Sequence, residues 1–220
     1  MTQSQPEITQ EQLEAIAFVG NTLGPLFYHD PASGTTDALF EALGGINVTE
    51  TAAAWPFAKE AESAEALEQI VAALREVKDD KTALAEEFRR LFVGPARKAA
   101  APWGSVYTDR ESVIFGKTCL DLRDWMGEHG IEAVVKEKHE PEDHIGLMLM
   151  LAAWIATNRP ELTREYLELH LLTWAPHFLE LMQQEAKHPF YQGLAQLTHA
   201  TLVGAQEELA LDVTVPRFFR

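Results

Sequence analysis

An apolar run extends from Ile145 to Ala156 and limits the folds that this chain can adopt. The run has 12 residues, whereas a helix needs roughly 20 apolar residues to cross a bilayer. With its flanks, from Pro141 to Asn158, it is apolar almost all the way round a helix, which is typical of a helix buried at the centre of a bundle. We therefore predict a helical bundle around this segment and no membrane-spanning helix.

Helical patterns also fill most of the chain before this segment. Thr9 and Gln12 form a predicted capping box at the start of a first helix, which we expect to end near Gly24-Pro25 because both residue types terminate helices. Ser63 is the predicted N-cap of a later helix whose apolar stripe extends to Val77. Two further helices are predicted from Thr36 to Leu43 and from Asp80 to Gly94-Pro95.

The second half of the chain continues the helical pattern. After Pro160, apolar residues in register from Leu167 to Met182 predict a long helix that bends at Pro176. Other helices are predicted from Thr118 to about Gly130 and from Pro189 to about Ala210. No pair of strands and no internal repeat is evident, so the predicted fold class is all-α, a single-domain helical bundle over residues 1–220.

One long irregular loop, residues 94–117, interrupts the helices. It is rich in Pro, Gly, Ala and aromatic residues, and its regular pattern is limited to a short extended run at Ser105 to Tyr107. Long loops inside compact domains are usually functional or disordered. Disorder is disfavoured by the apolar residues Trp103, Val106, Tyr107, Ile114 and Phe115. We therefore expect the loop to carry a binding function.

The charge of the chain favours some partners over others. Its 34 acidic and 18 basic residues give a formal net charge of -16, which opposes binding of nucleic acid or an anionic membrane and favours a basic peptide. A single cysteine, Cys119, rules out an intramolecular disulfide and fits a reducing compartment. The polar residues Met1 to Gln10 do not form a signal peptide, so we expect a cytoplasmic protein.

The sequence Glu140-Pro141-Glu142-Asp143-His144 precedes the central helix and has two interpretations. Proline and carboxylates at a first helical turn are the usual way to start a helix, since carboxylates favour the positive end of the helix dipole. That interpretation accounts less well for His144, which could hold a proton near neutrality or hydrogen-bond a bound peptide. The residues alone leave both interpretations open.

Several kinds of chemistry find no support in the residue patterns. His139 and His144 lie five residues apart, so they would not share a helix face, and we expect no metal site. The chain has no nucleophile elbow and no phosphate-binding glycine loop, and Cys119 has no evident activating base and is expected in the core. We predict no catalytic residues and no cofactor. Phe88, Leu91 and Phe92 form a stripe at helical spacing, which usually means core.

Five short motifs occur in order over residues 84–220: Phe88 to Pro95, Pro102 to Tyr107, Val113 to Gly116, Glu140 to His144 and the ending Pro216 to Arg220. Together they resemble the TorD/DmsD/NarJ family of reductase maturation chaperones. The resemblance implies a helical proofreading chaperone that binds the twin-arginine leader of a molybdopterin-containing reductase catalytic subunit and delays its export until the cofactor is inserted. The export machinery is a further candidate partner.

The same resemblance implies where the leader binds. We expect the carboxylate of Asp143 to take a leader arginine and the apolar part of the leader to meet Leu91, Phe92 and Trp103. Phe88 stands where relatives often have Trp or Tyr, so its ring lacks their polar atom. The expected leader-binding residues are Phe88, Leu91, Phe92, Pro95, Trp103, Gly104, Gly116, Glu140, Pro141, Asp143 and His144.

Two other functions remain as alternatives. The chain could handle a nucleotide or the molybdenum cofactor, as relatives suggest, although it has no phosphate-binding loop. It could also be a structural subunit whose acidic surface only keeps it in solution. Binding experiments with each ligand separate these alternatives from a leader-binding chaperone.

Overall fold

A computed structural model describes residues 6–78, 80–93, 98–132 and 140–220 of the chain. Every regular element in these ranges is helical, apart from an isolated antiparallel bridge between Trp103 and His144. The predicted all-α class is therefore confirmed. The helices are α1 Gln10–Tyr28, α2 Asp37–Gly44, α3 Val48–Ala54, α4 Glu60–Glu76, α5 Thr82–Phe88, α6 Ser105–Thr108, α7 Lys117–Glu128, α8 Ile145–Asn158, α9 Thr163–Tyr166, α10 Ala175–Glu185 and α11 Pro189–Glu208.

Helix α8 is the predicted central helix, and its most extensive packing is against α1. The two helices approach closely because small residues face each other along the seam. A Cβ atom on Gly20 would lie 2.2 Å from the carbonyl oxygen of Leu149, and one on Gly24 would lie 2.7 Å from Cγ of Met150. The predicted end of α1 at Gly24-Pro25 is therefore wrong. The helix includes Pro25 and continues to Tyr28, since Gly24 serves the packing and not a helix end.

A second group of helices completes the core. Helix α11 packs against α4 and α10, and α4 also contacts α2 and α3. Helix α4 begins at Glu60, so the predicted cap at Ser63 is wrong; the buried Ser63 hydroxyl donates to the carbonyl of Lys59 at 2.8 Å. Asp80 does serve a helix start, because its Oδ1 accepts from the Thr82 amide at 2.9 Å. The predicted end of that helix at Gly94-Pro95 lies outside the described residues.

Two π-helical turns interrupt the regular helices. One, Arg89–Val93, follows α5, and the other, Leu167–Leu171, follows α9. The single long helix predicted after Pro160 is therefore wrong, because the chain breaks before Trp174 and begins α10 at Ala175. Pro176 lies in the first turn of α10, where its missing amide proton costs no helical bond, and it does not bend a continuous helix.

The predicted long loop is more ordered than its sequence pattern indicated. The extended run predicted at Ser105 to Tyr107 is wrong, since Ser105–Thr108 form the helical turn α6. The predicted start of the central helix at Pro141 is also wrong, because α8 begins at Ile145 with His144 as its N-cap. Among the helices of the described ranges, none is long and apolar enough to cross a membrane.

Candidate functional site

Two of the sequence motifs cross each other at the start of α8. The amide of Gly104 donates to the carbonyl of Asp143 at 3.2 Å, and the amide of Ile145 donates to the carbonyl of Pro102 at 2.8 Å. These two bonds frame the bridge between Trp103 and His144. The loop after Pro102 is thereby fixed to the end of the central helix, and we call this arrangement, residues 102–105 with 141–145, the crossing.

The side chain of Asp143 lies inside the crossing. It is 0% exposed, and its Oδ2 accepts from the Ser105 amide at 2.6 Å. Burial raises the pKa of this carboxyl above its ordinary value, although hydrogen bonds from Ser105 oppose the shift. The Ser105 bond also satisfies a free amide of α6, which explains why a helical turn forms there. In this structure the carboxylate faces the protein interior and not an outer acidic rim.

His144 is the N-cap of the central helix. Its Nδ1 accepts from the Gly146 amide at 3.1 Å, and its ring packs edge-on against Tyr28 at 5.5 Å and Trp103 at 6.2 Å between centroids. Burial lowers the pKa of His144 to about 3. Burial therefore opposes a proton on this histidine near neutrality, because the charged ring would lose its hydration.

The outer edge of the crossing carries the partly exposed polar groups, and we call Trp103, Glu140 and Glu142 the rim. Trp103 Nε1 donates to Glu140 Oε1 at 2.6 Å. Glu142 accepts from both Nε and Nη2 of Arg123, at 3.1 and 2.7 Å, and from the thiol of Cys119 at 3.3 Å. Partial burial opposes ionisation of Glu142, yet these bonds hold its pKa below the ordinary value. The rim therefore presents an indole and two carboxyl groups.

Cys119 is a core residue, as the sequence predicted. It is fully buried on α7, and burial, with the nearby carboxylates of Asp143 and Glu142, raises the pKa of its thiol to about 12. The thiol is therefore protonated at neutral pH and serves as a hydrogen-bond donor to Glu142.

The motif that begins at Phe88 lies on the other side of the last turn of α1. The ring of Phe92 meets those of Phe27, Phe88 and Tyr191 at 5.1 to 6.2 Å. Leu91 is also buried, which confirms that the stripe is core. Phe27 therefore contacts this motif while its neighbour Tyr28 contacts His144 in the crossing.

A buried carboxylate anchors this second motif. Glu87 accepts from Nε and Nη2 of Arg90, at 2.6 and 2.7 Å, and from the Lys187 amide at 2.6 Å. Burial opposes ionisation of Glu87, but the bonds from Arg90 and Lys187 hold its pKa below the ordinary value. The pair fixes the end of α5 to the connection between α10 and α11.

The predicted glycines of the site are places where a side chain would not fit. A Cβ on Gly104 would lie 2.6 Å from Nε1 of Trp174, and one on Gly116 would lie 2.9 Å from Oδ2 of Asp109. Among the predicted leader-binding residues, only Trp103 and Glu140 are partly exposed, and Pro95 lies outside the described residues. The buried ones are Phe88, Leu91, Phe92, Gly104, Gly116, Pro141, Asp143 and His144.

Sequence reasoning missed four residues that build the crossing: Tyr28, Cys119, Arg123 and Trp174. Gly20 and Gly24, four residues apart on α1, were the signal for a close helix pair, and that pair brings Tyr28 to His144. Nothing local marks Trp174 or Arg123. In the described part of the chain, no three His, Cys, Asp or Glu residues are placed to hold a metal ion, and His139 falls outside it.

Comparison with known proteins places the chain among chaperones. The family profile described as nitrate reductase delta subunit matches residues 58–180. The Tat proofreading chaperone DmsD of Salmonella typhi is 41% identical over 95% of this chain and 98% of its own. The chain therefore belongs to the family of Tat proofreading chaperones of the DmsD type.

A more distant relative is also named a chaperone. The chaperone protein TorD of Vibrio cholerae is 30% identical over 63% of this chain and 67% of its own. A crystal structure described as that of a redox enzyme maturation protein from Archaeoglobus fulgidus covers 90% of this chain and 96% of its own, with a TM-score of 0.49 and 18% identity.

Proposed function

We propose that this protein is a cytoplasmic chaperone that binds the twin-arginine leader of a molybdopterin-containing reductase catalytic subunit and assists its maturation before export. The proposal is supported by the family, whose named members are Tat proofreading chaperones, and by the net charge of -16, which attracts a basic leader. Dimethyl sulfoxide reductase is the first candidate client, because the motifs resemble those of its chaperone. We infer binding without catalysis.

The observation that carries the proposal is the rim held on the crossing. The carboxyl groups of Glu140 and Glu142 can accept charge-assisted hydrogen bonds from leader arginines, and the Trp103 indole offers an apolar and cation-binding face. An exposed ion pair contributes only about 0–1 kcal/mol. We therefore assign most of the affinity to apolar burial and most of the selectivity to the carboxylates.

The buried residues have a different role in this proposal. Asp143 acts as a positioning residue, since its bond to the Ser105 amide holds the loop that presents Trp103. Phe88, Leu91 and Phe92 position the end of α5 through core packing. Leader binding then depends on these residues without contact between them and the leader.

The first experiment is co-purification of the full chain from its native cell, followed by identification of the retained protein. A reductase precursor is expected. A synthetic peptide of that precursor's leader is then titrated calorimetrically into the wild-type chain, with GTP and a molybdopterin cofactor as competing candidates. Tight binding of nucleotide or cofactor without leader binding would contradict the proposal and favour the alternative.

A matched pair of tryptophan variants locates the site. Trp103→Ala should weaken leader binding by about tenfold, in line with the 1–2 kcal/mol typical of an aromatic contact at an interface. Trp154→Ala is the control, because Trp154 is 43% exposed on α8 and does not belong to the rim. Equal leader binding by the two variants would show that the rim is not the site.

A further inference from the structure

The last residues of the sequence carry a motif that the proposed function leaves unused. Residues 211–220 follow α11 without regular secondary structure. They end in Val215-Pro216-Arg217-Phe218-Phe219-Arg220, in which two arginines flank two aromatic rings. We call residues 215–220 the tail. Its basic and aromatic character differs from that of the chain as a whole, which has a net charge of -16.

The tail lies on the helical turn that the crossing holds in place. The amide of Phe219 donates to the carbonyl of Tyr107, in α6, at 2.9 Å. The ring of Phe218 stacks on His177 with centroids 4.3 Å apart and an angle of 7° between the planes, and His177 Nε2 lies 2.8 Å from the carbonyl oxygen of Arg220. The tail therefore covers the His177 ring and occupies the main-chain carbonyl of Tyr107.

The surface under the tail is continuous with the crossing. Tyr107 lies two residues after Ser105, whose amide is held by Asp143. The ring of Tyr107 lies 5.5 Å from that of His177 and stacks on Trp174 at 6.1 Å, both measured between centroids. The hydroxyl of Tyr107 donates to the carbonyl of Ala101 at 2.7 Å. Removal of the tail would therefore uncover the His177 ring and free the Tyr107 carbonyl, next to the turn that the crossing holds.

The tail is only partly buried: Pro216, Phe218 and Arg220 are half-buried, and the residues between them are exposed. Phe219 is 40% exposed and Val215 is 61% exposed. The Arg217 guanidinium lies 5.3 Å from the centre of the Phe219 ring, so this contact is internal to the tail. The contacts of the tail include one stacked ring and two hydrogen bonds to main-chain atoms. A partly exposed segment of this kind can open locally, and another segment of the same chemistry can then take its place.

We propose that the tail occupies, in the free protein, a surface formed by Tyr107 and His177 that receives a basic and apolar segment of the client, so that the tail competes with the leader. This inference rests on the proposed function. A tethered competitor reduces the fraction of chains that are free to bind, and the apparent dissociation constant rises in proportion. The tail therefore sets how strongly a leader must bind to be retained.

The test uses the full chain and two labelled probes. One probe is the synthetic peptide Val-Pro-Arg-Phe-Phe-Arg, which has the sequence of the tail, and the other is the leader peptide of the co-purified precursor. In Phe218→Ala the ring stacked on His177 is lost, so this variant should bind both probes more tightly than wild type, on the order of tenfold. Val215→Ser, at the exposed start of the tail, is the control and should bind as wild type does.

The possible outcomes separate the two proposals. Equal leader binding by wild type and Phe218→Ala overturns the tail proposal and leaves leader binding intact. A second outcome is that neither wild type nor any variant binds the leader, while Phe218→Ala binds the hexapeptide more tightly than wild type does. The proposed function is then wrong, but the surface under the tail is still a binding site for a segment of the tail's chemistry. Circular dichroism checks the fold, and Phe219→Pro, which removes the amide that bonds to Tyr107, replaces Phe218→Ala if that variant does not fold.

Discussion

The motif at Phe88 and the crossing at Asp143 flank the same last turn of α1, yet they are held by different forces. Phe92 is fixed by contacts with three aromatic rings, whereas Asp143 is fixed by a hydrogen bond to an amide 38 positions away in sequence. The packing around Phe92 is close, so a substitution that reduces side-chain volume there should destabilise the fold. Hydrogen bonds in the second region depend on one donor and one acceptor. The two regions should therefore respond differently to substitution.

The largest expected effect is on the apolar region. Phe92→Ala should lower the free energy of unfolding by about 3–5 kcal/mol, because it leaves a cavity among Phe27, Phe88 and Tyr191. Urea denaturation measures the change. Val93→Ala is the matched control, since its side chain is 63% exposed and its loss should change stability by less than about 0.5 kcal/mol. Similar effects for both variants would contradict the difference between core and surface in this turn.

A smaller effect is expected from Asp143→Ala. The Ser105 amide would lose its acceptor, at a cost of about 1–3 kcal/mol in unfolding free energy, and the loop that presents Trp103 would loosen. Asp143→Asn keeps an oxygen for that amide. It also removes a carboxylate whose pKa is raised by burial, so it should be close to wild type in stability and in leader binding.

The pair Asp143→Ala and Asp143→Asn thus distinguishes two roles for the carboxylate. Calorimetric titration with the leader peptide should show weaker binding for Asp143→Ala and binding close to that of wild type for Asp143→Asn. If Asp143→Asn loses leader binding to the same degree, the negative charge itself meets a leader arginine, and the positioning role fails.

Acid should destabilise the crossing through His144. The unfolded histidine takes up a proton near pH 6.5, but the folded one does so only near pH 3, because burial lowers its pKa. The unfolded state therefore binds more protons between these values, and stability falls as the pH falls through this window. His144 alone should cost about 2 kcal/mol between pH 7 and pH 5.

His144→Asn tests this contribution, because asparagine can still cap α8 but does not titrate. Denaturation at several pH values should show a shallower acid loss for the variant than for wild type. Part of the acid loss should remain, since burial also lowers the pKa of His170, to about 4. Superimposable pH profiles for the two proteins would contradict this assignment.

The smallest effect is expected at the exposed edge of the crossing. Arg123→Gln removes the charged partner of Glu142, but Arg123 is 48% exposed, so stability should change by about 0–1 kcal/mol. Leader binding should become slightly tighter, because a leader arginine no longer competes with Arg123 for the Glu142 carboxylate. Titration at low salt measures this change best. A large loss of stability would contradict this expectation and show that the ion pair at the rim contributes as much to folding as a core contact does.

Much of the fold follows from local patterns. The apolar run at Ile145 predicts the central helix because a helix that is apolar on every side must be surrounded. The capping box at Thr9 is observed, since its donors and acceptors lie within four residues of one another. The predicted end of the first helix at Gly24-Pro25 is wrong because it depends on a contact with a segment distant in sequence. The same glycine satisfies either a helix end or a close helix contact, and only the position of α8 decides between them.

The candidate site shows the same division. Local sequence patterns show that Trp103, Asp143 and His144 belong to unusual segments, that the chain is strongly acidic and that Phe88, Leu91 and Phe92 form a core stripe. The inward orientation of Asp143 and the lowered pKa of His144 follow from the folded chain. Hydrogen-bond partners and burial come from segments distant in sequence, whereas residue periodicity records only which face of a helix is apolar.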